Sequence, residues 1–229
     1  MKKLFVLIAA ACMTCTAAFA QTVKPFKEGE RAVFLGNSIT DGGHYHSYIW
    51  LYYMTRFPDM PIRVFNGGIG GDTAYDMNKR LDGDIFAMKP SVLMVTFGMN
   101  DSGYFEYNGD KPKEFGEQKY QESIKNYQQM EKRFKDLPDT RIVMVGTSPY
   151  DETVQLKENT PFKTKNETIK RLVEYQQESA AKNNWEFTDL NAPMTAINQQ
   201  YQQKDPTFTL CGSDRIHPDN DGHMVIIFS

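Results

Sequence analysis

The sequence predicts an α/β fold, a three-layer α/β/α sandwich around a five-stranded, mostly parallel sheet. Three observations predict it. Short apolar runs alternate with helical stretches from about residue 31 onward, the pattern of strands paired in parallel through helical crossovers. One of those runs, residues 91–97, carries Val92, Leu93, Met94 and Val95 without a polar break, which fits a strand covered on both faces. The chain has 229 residues, enough for one such domain with a sizeable core.

The elements follow in order. Residues 21–31 are polar and read as a lead-in. Residues 32–35 form the first strand, which breaks at Gly36 and places Asn37 and Ser38 on the turn. Residues 44–57 are apolar nearly all round (Tyr48, Ile49, Trp50, Leu51, Tyr52, Tyr53, Met54), which predicts a helix buried on most faces. Pro58 and Pro61 end it. Residues 62–65 are the second strand. A glycine-rich stretch leads into a helix over 73–81, and the third strand is 91–97. Residues 104–118, aromatic and charged with interspersed Gly and Pro, read as a loop.

A helix over 119–137 repeats Tyr120, Ile124, Tyr127, Met130, Phe134 and Leu137 at three- and four-residue steps, on one face. Residues 141–146 are the fourth strand and 151–161 a polar loop. Thr164-Lys165-Asn166-Glu167 has the capping-box pattern and predicts a helix from there to about residue 182. The fifth strand is 185–190, a short helix covers 192–203, and 205–218 is loop. Residues 221–229 read as the start of a closing helix, so the natural chain is expected to continue beyond Ser229.

The first twenty residues stand apart. Lys2 and Lys3 precede an apolar run, and Ala18-Phe19-Ala20 offers a small-residue cleavage site. The run is too short to cross a bilayer, so a secretory signal peptide and an exported protein, periplasmic or extracellular, are expected. Lipoprotein anchoring through Cys12 or Cys15 is the weaker alternative. Loss of residues 1–20 removes two lysines and no acid, leaving 24 basic and 29 acidic side chains and a formal charge of −5. That balance disfavours nucleic acid and anionic membrane as partners. It also leaves Cys211 alone, so neither a disulfide framework nor a cysteine metal site is expected, and Cys211 reads as a small core residue.

The chemistry concentrates in four short stretches. These are Gly36-Asn37-Ser38, Asn66-Gly67-Gly68-Ile69-Gly70-Gly71-Asp72-Thr73, Gly98-Met99-Asn100-Asp101, and Asp214-Arg215-Ile216-His217. A serine at its free pKa is a poor nucleophile and needs a base within hydrogen-bond reach, itself held by an acid. In this order the four stretches resemble the SGNH hydrolases, or GDSL-like lipase/acylhydrolase family, over residues 31–229. The resemblance implies a flavodoxin-like fold. It also implies Ser38 as nucleophile, His217 as base and Asp214 as its partner, with the oxyanion hole built from Ser38, Gly71 and Asn100. No cofactor and no metal are implied. The family name comes from Gly-Asp-Ser, whereas this chain has Gly-Asn-Ser. Asn37 keeps the shape and hydrogen bonding of aspartate without its charge.

The glycine-rich stretch could cradle a phosphate, but it lacks both the Gly-x-x-x-x-Gly-Lys-Ser/Thr and the dinucleotide patterns. His44 and His46 could bind metal but have no evident third ligand, which favours a polar rim to the cleft. Asp101 reads as a structural acceptor, Asp219 and Asp221 as helix caps, and His223 as a surface or helix residue. Tyr104, Phe105, Tyr107 and Phe115 are either a substrate platform or a satellite core. The expected function is a serine esterase acting on short acyl esters, acetyl above all, of a carbohydrate or other small-molecule substrate. A lipase or lysophospholipase is the alternative enzyme, and a non-catalytic carbohydrate-binding module the alternative from another class.

Overall fold

Six parallel strands form the sheet of the computed structural model, which describes residues 21–158 and 160–228. The expected leader lies outside the described residues. The strands are β1 (Gln21–Thr22), β2 (Arg31–Gly36), β3 (Arg63–Gly68), β4 (Val92–Val95), β5 (Arg141–Gly146) and β6 (Glu186–Asp189), in the spatial order β1-β6-β5-β4-β2-β3. The five longer strands are those expected from the apolar runs. The two-residue β1 is an addition: the polar lead-in pairs along β6, Gln21 opposite Glu186, through backbone groups that side-chain polarity does not reveal.

Helices cover both faces. Alternate residues of β2 supply both layers: Val33 and Leu35 pack with Met77, Leu81, Tyr127 and Phe134, while Ala32 and Phe34 pack with Tyr45, Leu190, Met194 and Ile226. The first layer comes from α3 (Ala74–Arg80), α4 (Pro112–Lys135) and α5 (Lys165–Asn183). The second comes from α2 (His44–Arg56), α6 (Asn191–Gln202) and α7 (Asn220–Phe228). Burying a side chain such as Phe34 is worth roughly 1.5–3 kcal/mol, so two-sided burial of the central strands β2, β4 and β5 is a main term holding the sheet.

Three expectations are corrected. First, α2 is not buried on most faces. Only Tyr45 and His46 are buried, and Trp50, Leu51, Tyr52 and Met54 are 43–54% exposed. The helix touches the molecule along β3 and α7, and an apolar composition cannot say which faces a neighbour will cover. Second, α4 begins seven residues earlier than periodicity suggests, with Pro112 in its first turn, where the missing N–H costs nothing. Third, Thr164 makes no capping box. It sits in the left-handed region (φ 68°), and the Glu152 carboxylate reaches across instead to accept the N–H groups of Thr164 at 2.9 Å and Asn166 at 2.5 Å. A capping box does form at Thr73 and Asp76, at the start of α3.

The strand order has one point where connections leave in opposite directions, between β2 and β4. The chain runs from β2 outward to β3, then crosses back over to β4. Open α/β sheets place their sites beyond the carboxyl ends of strands at such a point. Ser38 follows β2 and Asn100 follows β4.

Candidate active site

Each side chain reaches this mouth by its own local device. Asn37 caps the short helix α1 (Ser38–Asp41), its Oδ1 accepting the Ile39 N–H at 3.1 Å, so the Asp-to-Asn departure retains the cap. The turn is tight because residue 36 is glycine: a Cβ there would lie 2.0 Å from Thr40 Oγ1. Ser38 thus opens a helical turn pressed onto the end of β2.

The loop after β3 lies against it. A Cβ on Gly70 would come within 4.0 Å of Ser38 Cβ, and Gly71 adopts φ +84°, the region that favours glycine. The Gly71 N–H has no backbone partner among the described residues. Beside this turn, Asn100 donates from Nδ2 to the Asp72 carbonyl at 2.9 Å. Asp72 is in turn held by Arg80, whose Nε lies 2.6 Å from its carboxylate and whose Nη2 reaches the Gly67 carbonyl at 2.7 Å. Asp101 is the structural acceptor expected: its buried carboxylate takes the N–H groups of Ala74 and Gly98 and the Ser123 hydroxyl, at 2.9–3.0 Å.

The loop between α6 and α7 carries Asp214 and His217. Asp214 Oδ1 accepts the backbone N–H of Ile216 and of His217, each at 2.9 Å, and Oδ2 lies 2.5 Å from His217 Nδ1. His217 Nε2 is 2.7 Å from Ser38 Oγ. A carboxylate can only accept, so Nδ1 carries the proton and Nε2 is left to accept from the serine hydroxyl. Between them Arg215 is buried in the left-handed region (φ 70°), which costs a side chain about 1–3 kcal/mol. Its guanidinium donates to the carbonyls of Val154 at 2.7 Å and Asp151 at 3.1 Å, tying the loop to the segment after β5. An arginine inside Asp-x-x-His gives no sequence signal for that role.

The electrostatics follow the geometry. Burial alone would raise the Asp214 carboxyl, but hydrogen bonds from the His217 ring, the His217 backbone and the Ile216 backbone outweigh it and hold the pKa down to about 2. The Asp214 hydrogen bond, opposed by partial burial, pushes the His217 imidazole above its ordinary value. A base must be neutral to take a proton, so kcat/KM should rise with pH along an acid limb centred above the free-histidine value of about 6.5. Asp214→Asn removes the group that raises the imidazole and should move that midpoint down while lowering kcat. A pH–rate profile of both proteins checks this. A wild-type midpoint below about 6.5 would contradict it.

The remaining candidates separate. Cys211 is a core residue, and burial pushes its thiol up to about 12. His46 is buried, with Nε2 3.1 Å from the Thr40 carbonyl, and so does not belong to a polar rim. His223, expected as a surface or helix residue, lies in α7 and is buried, its ring stacked on His44 at 4.8 Å. Asp219 caps α7 by accepting the Gly222 N–H at 3.2 Å. The aromatic insertion divides: Tyr107 is buried against Phe115, whereas Phe105 is 80% exposed and meets Phe162 edge-on at 5.6 Å.

Serine, histidine and aspartate thus stand within hydrogen-bond reach of one another, in that order. Residues 34–225 match the model of the GDSL-like Lipase/Acylhydrolase family. The chain belongs to this family. It is therefore an acylhydrolase, a carboxylic ester hydrolase on the family's α/β fold. Among other proteins, an acetylxylan esterase from Geobacillus stearothermophilus is 26% identical over 214 residues, 86% of this chain and 90% of that one. A solved catalytic mutant of an acetylxylan esterase from the same organism superposes with a TM-score of 0.70 at 22% identity, covering 89% of this chain and 93% of that one. A gut microbial diltiazem-metabolizing enzyme is 84% identical with a TM-score of 0.89, covering 91% of this chain. The chain spans about half the length of that enzyme (47%). No helix among the described residues is long and apolar enough to cross a membrane.

Proposed function

We propose that this acylhydrolase is an exported serine esterase that removes short acyl groups, acetyl above all, from ring-bearing alcohols such as acetylated sugars, through an acyl-enzyme. The observation that carries the reading is the continuous path from Ser38 Oγ through His217 to Asp214. Ser38 Oγ would attack the acyl carbon while its proton passes to His217 Nε2, and Asp214 stabilises the resulting imidazolium. The developing oxyanion would take hydrogen bonds from the N–H groups of Ser38 and Gly71 and from the Asn100 amide. His217 then returns its proton to the departing alkoxide as the ester C–O bond breaks. Water, activated by the same nitrogen, releases the acid and restores Ser38. The basic, apolar, small-residue order of residues 1–20 supports export.

Three observations support a small acyl group on a ring-shaped alcohol. The side chains of Asp214 and His217 are 48% and 47% exposed, so the relay lies on an open mouth that admits a bulky alcohol. An apolar cavity of about 460 Å³ does exist, lined by Phe26, Ile49, Tyr53, Met94 and Ile226 among others. None of the residues around Ser38, Asn100 or His217 lines it, so it offers no berth to a long acyl tail on Ser38. Tyr104, Phe105 and Phe162 cluster at the loops beside the site, flat apolar surfaces next to hydrogen-bonding groups. The acetylxylan esterase among the relatives points the same way.

The test is kcat/KM for acetyl, butyryl, octanoyl and palmitoyl esters of one leaving group, alongside acetate release from acetylated xylan and from diltiazem. Acetyl should be best, with a fall beyond butyryl. Long chains gain about 0.8 kcal/mol per buried methylene when an apolar groove holds them, so a rate that climbs to octanoyl would replace this reading with the lipase.

A further inference from the structure

The Asn100 amide has a partner on each side. Its Nδ2 donates to the Asp72 carbonyl, and its Oδ1 accepts the Tyr104 hydroxyl at 2.5 Å. One Nδ2 hydrogen is left uncommitted among the described residues. The segment that carries both Asn100 and Tyr104 is fixed from beneath by Lys165, a fully buried lysine at the start of α5. Its ammonium donates to the Met99 carbonyl at 2.7 Å and to Ser102 Oγ and the Gly103 carbonyl at 2.6 Å. It also lies 3.9 Å from the centre of the Tyr104 ring, within range of a cation–π contact. Nothing in the acyl-transfer steps uses Tyr104 or Lys165 directly, and a buried lysine needs a reason. Burial draws its pKa down to about 7 against the opposing charges of Asp101 and Glu152.

We propose that Tyr104 is a positioning residue of the oxyanion hole: its hydroxyl holds the Asn100 amide in the orientation that presents N–H to the reacting oxygen, and polarises it. The inference rests on the oxyanion role of Asn100 proposed above. An amide can turn over and offer its oxygen instead, which would repel a developing negative charge. The Tyr104 hydroxyl fixes Oδ1 away from the site while the Asp72 carbonyl fixes one Nδ2 hydrogen. A donor on Oδ1 also withdraws electron density from the amide and strengthens its N–H groups as donors. The hydroxyl stays protonated, and so stays a donor, because burial, helped by the charges of Asp101 and Asp214, raises its pKa.

Tyr104→Phe removes the hydroxyl and keeps the ring over Lys165. With p-nitrophenyl acetate, kcat should fall about tenfold, the size of one neutral hydrogen bond, while KM changes by less than about twofold. In an Asn100→Ala background the same substitution should cost nothing further in kcat, because the group it positions is gone. A wild-type kcat in Tyr104→Phe, or an undiminished loss in the Asn100→Ala background, would overturn the role of Tyr104 while leaving Asn100 in the oxyanion hole. If Asn100→Ala itself keeps wild-type kcat, the oxyanion reading fails and this inference with it.

Discussion

Ser38→Ala should abolish ester hydrolysis while leaving the fold intact. Removing the nucleophile of a serine hydrolase costs about six orders of magnitude in kcat, which leaves no turnover detectable in a routine assay. The fold has little reason to respond. Asn37, not Ser38, provides the side-chain cap of α1, and among the described residues the side-chain partner of the Ser38 hydroxyl is His217. Alanine is a good helix former at that position. The melting temperature should therefore stay within about a degree or two of wild type, since surface changes of this kind usually fall within ±0.5 kcal/mol. Residual activity above about one per cent, with the protein folded, would transfer the nucleophile's role to another group.

The second large effect is at Asn100. Loss of one oxyanion donor lowers kcat by about a hundred- to a thousandfold, because the donor meets charge that exists only in the transition state. Asn100→Ala should show that loss with KM changed far less. Part of any stability cost would come from the Asp72 carbonyl, which loses the Nδ2 donor, so melting temperature should be measured beside the kinetics. A drop confined to KM would make Asn100 a substrate-binding residue instead.

Much of this site is readable in the chain because its residue types sit where few others work. A glycine that admits Thr40, a serine on a strand-to-helix turn, and Asp and His three residues apart are local signals. The sheet is readable for a related reason: strands buried on both faces have to be apolar throughout, as at Val92–Val95. What the sequence hides is long-range. Glu152 caps α5 from twelve to fourteen residues away in place of Thr164. Arg215 anchors the Asp214–His217 loop through carbonyls more than sixty residues back, and Lys165 reaches a segment equally distant. Such residues are charged or polar in composition and carry no period, so a reading based on burial patterns assigns them to the surface. The exposed face of α2 is the converse error, an apolar run taken as covered when only Tyr45 and His46 are.

The most direct test of the central claim is the site of covalent attachment of a fluorophosphonate probe, read by peptide mass spectrometry on the wild-type protein. Such a probe reacts with an activated serine and leaves a stable adduct on its oxygen. With His217 Nε2 2.7 Å from Ser38 Oγ, the adduct should form on Ser38 alone and be lost in His217→Ala. An adduct on any other serine, or undiminished labelling of Ser38 without His217, would contradict the relay.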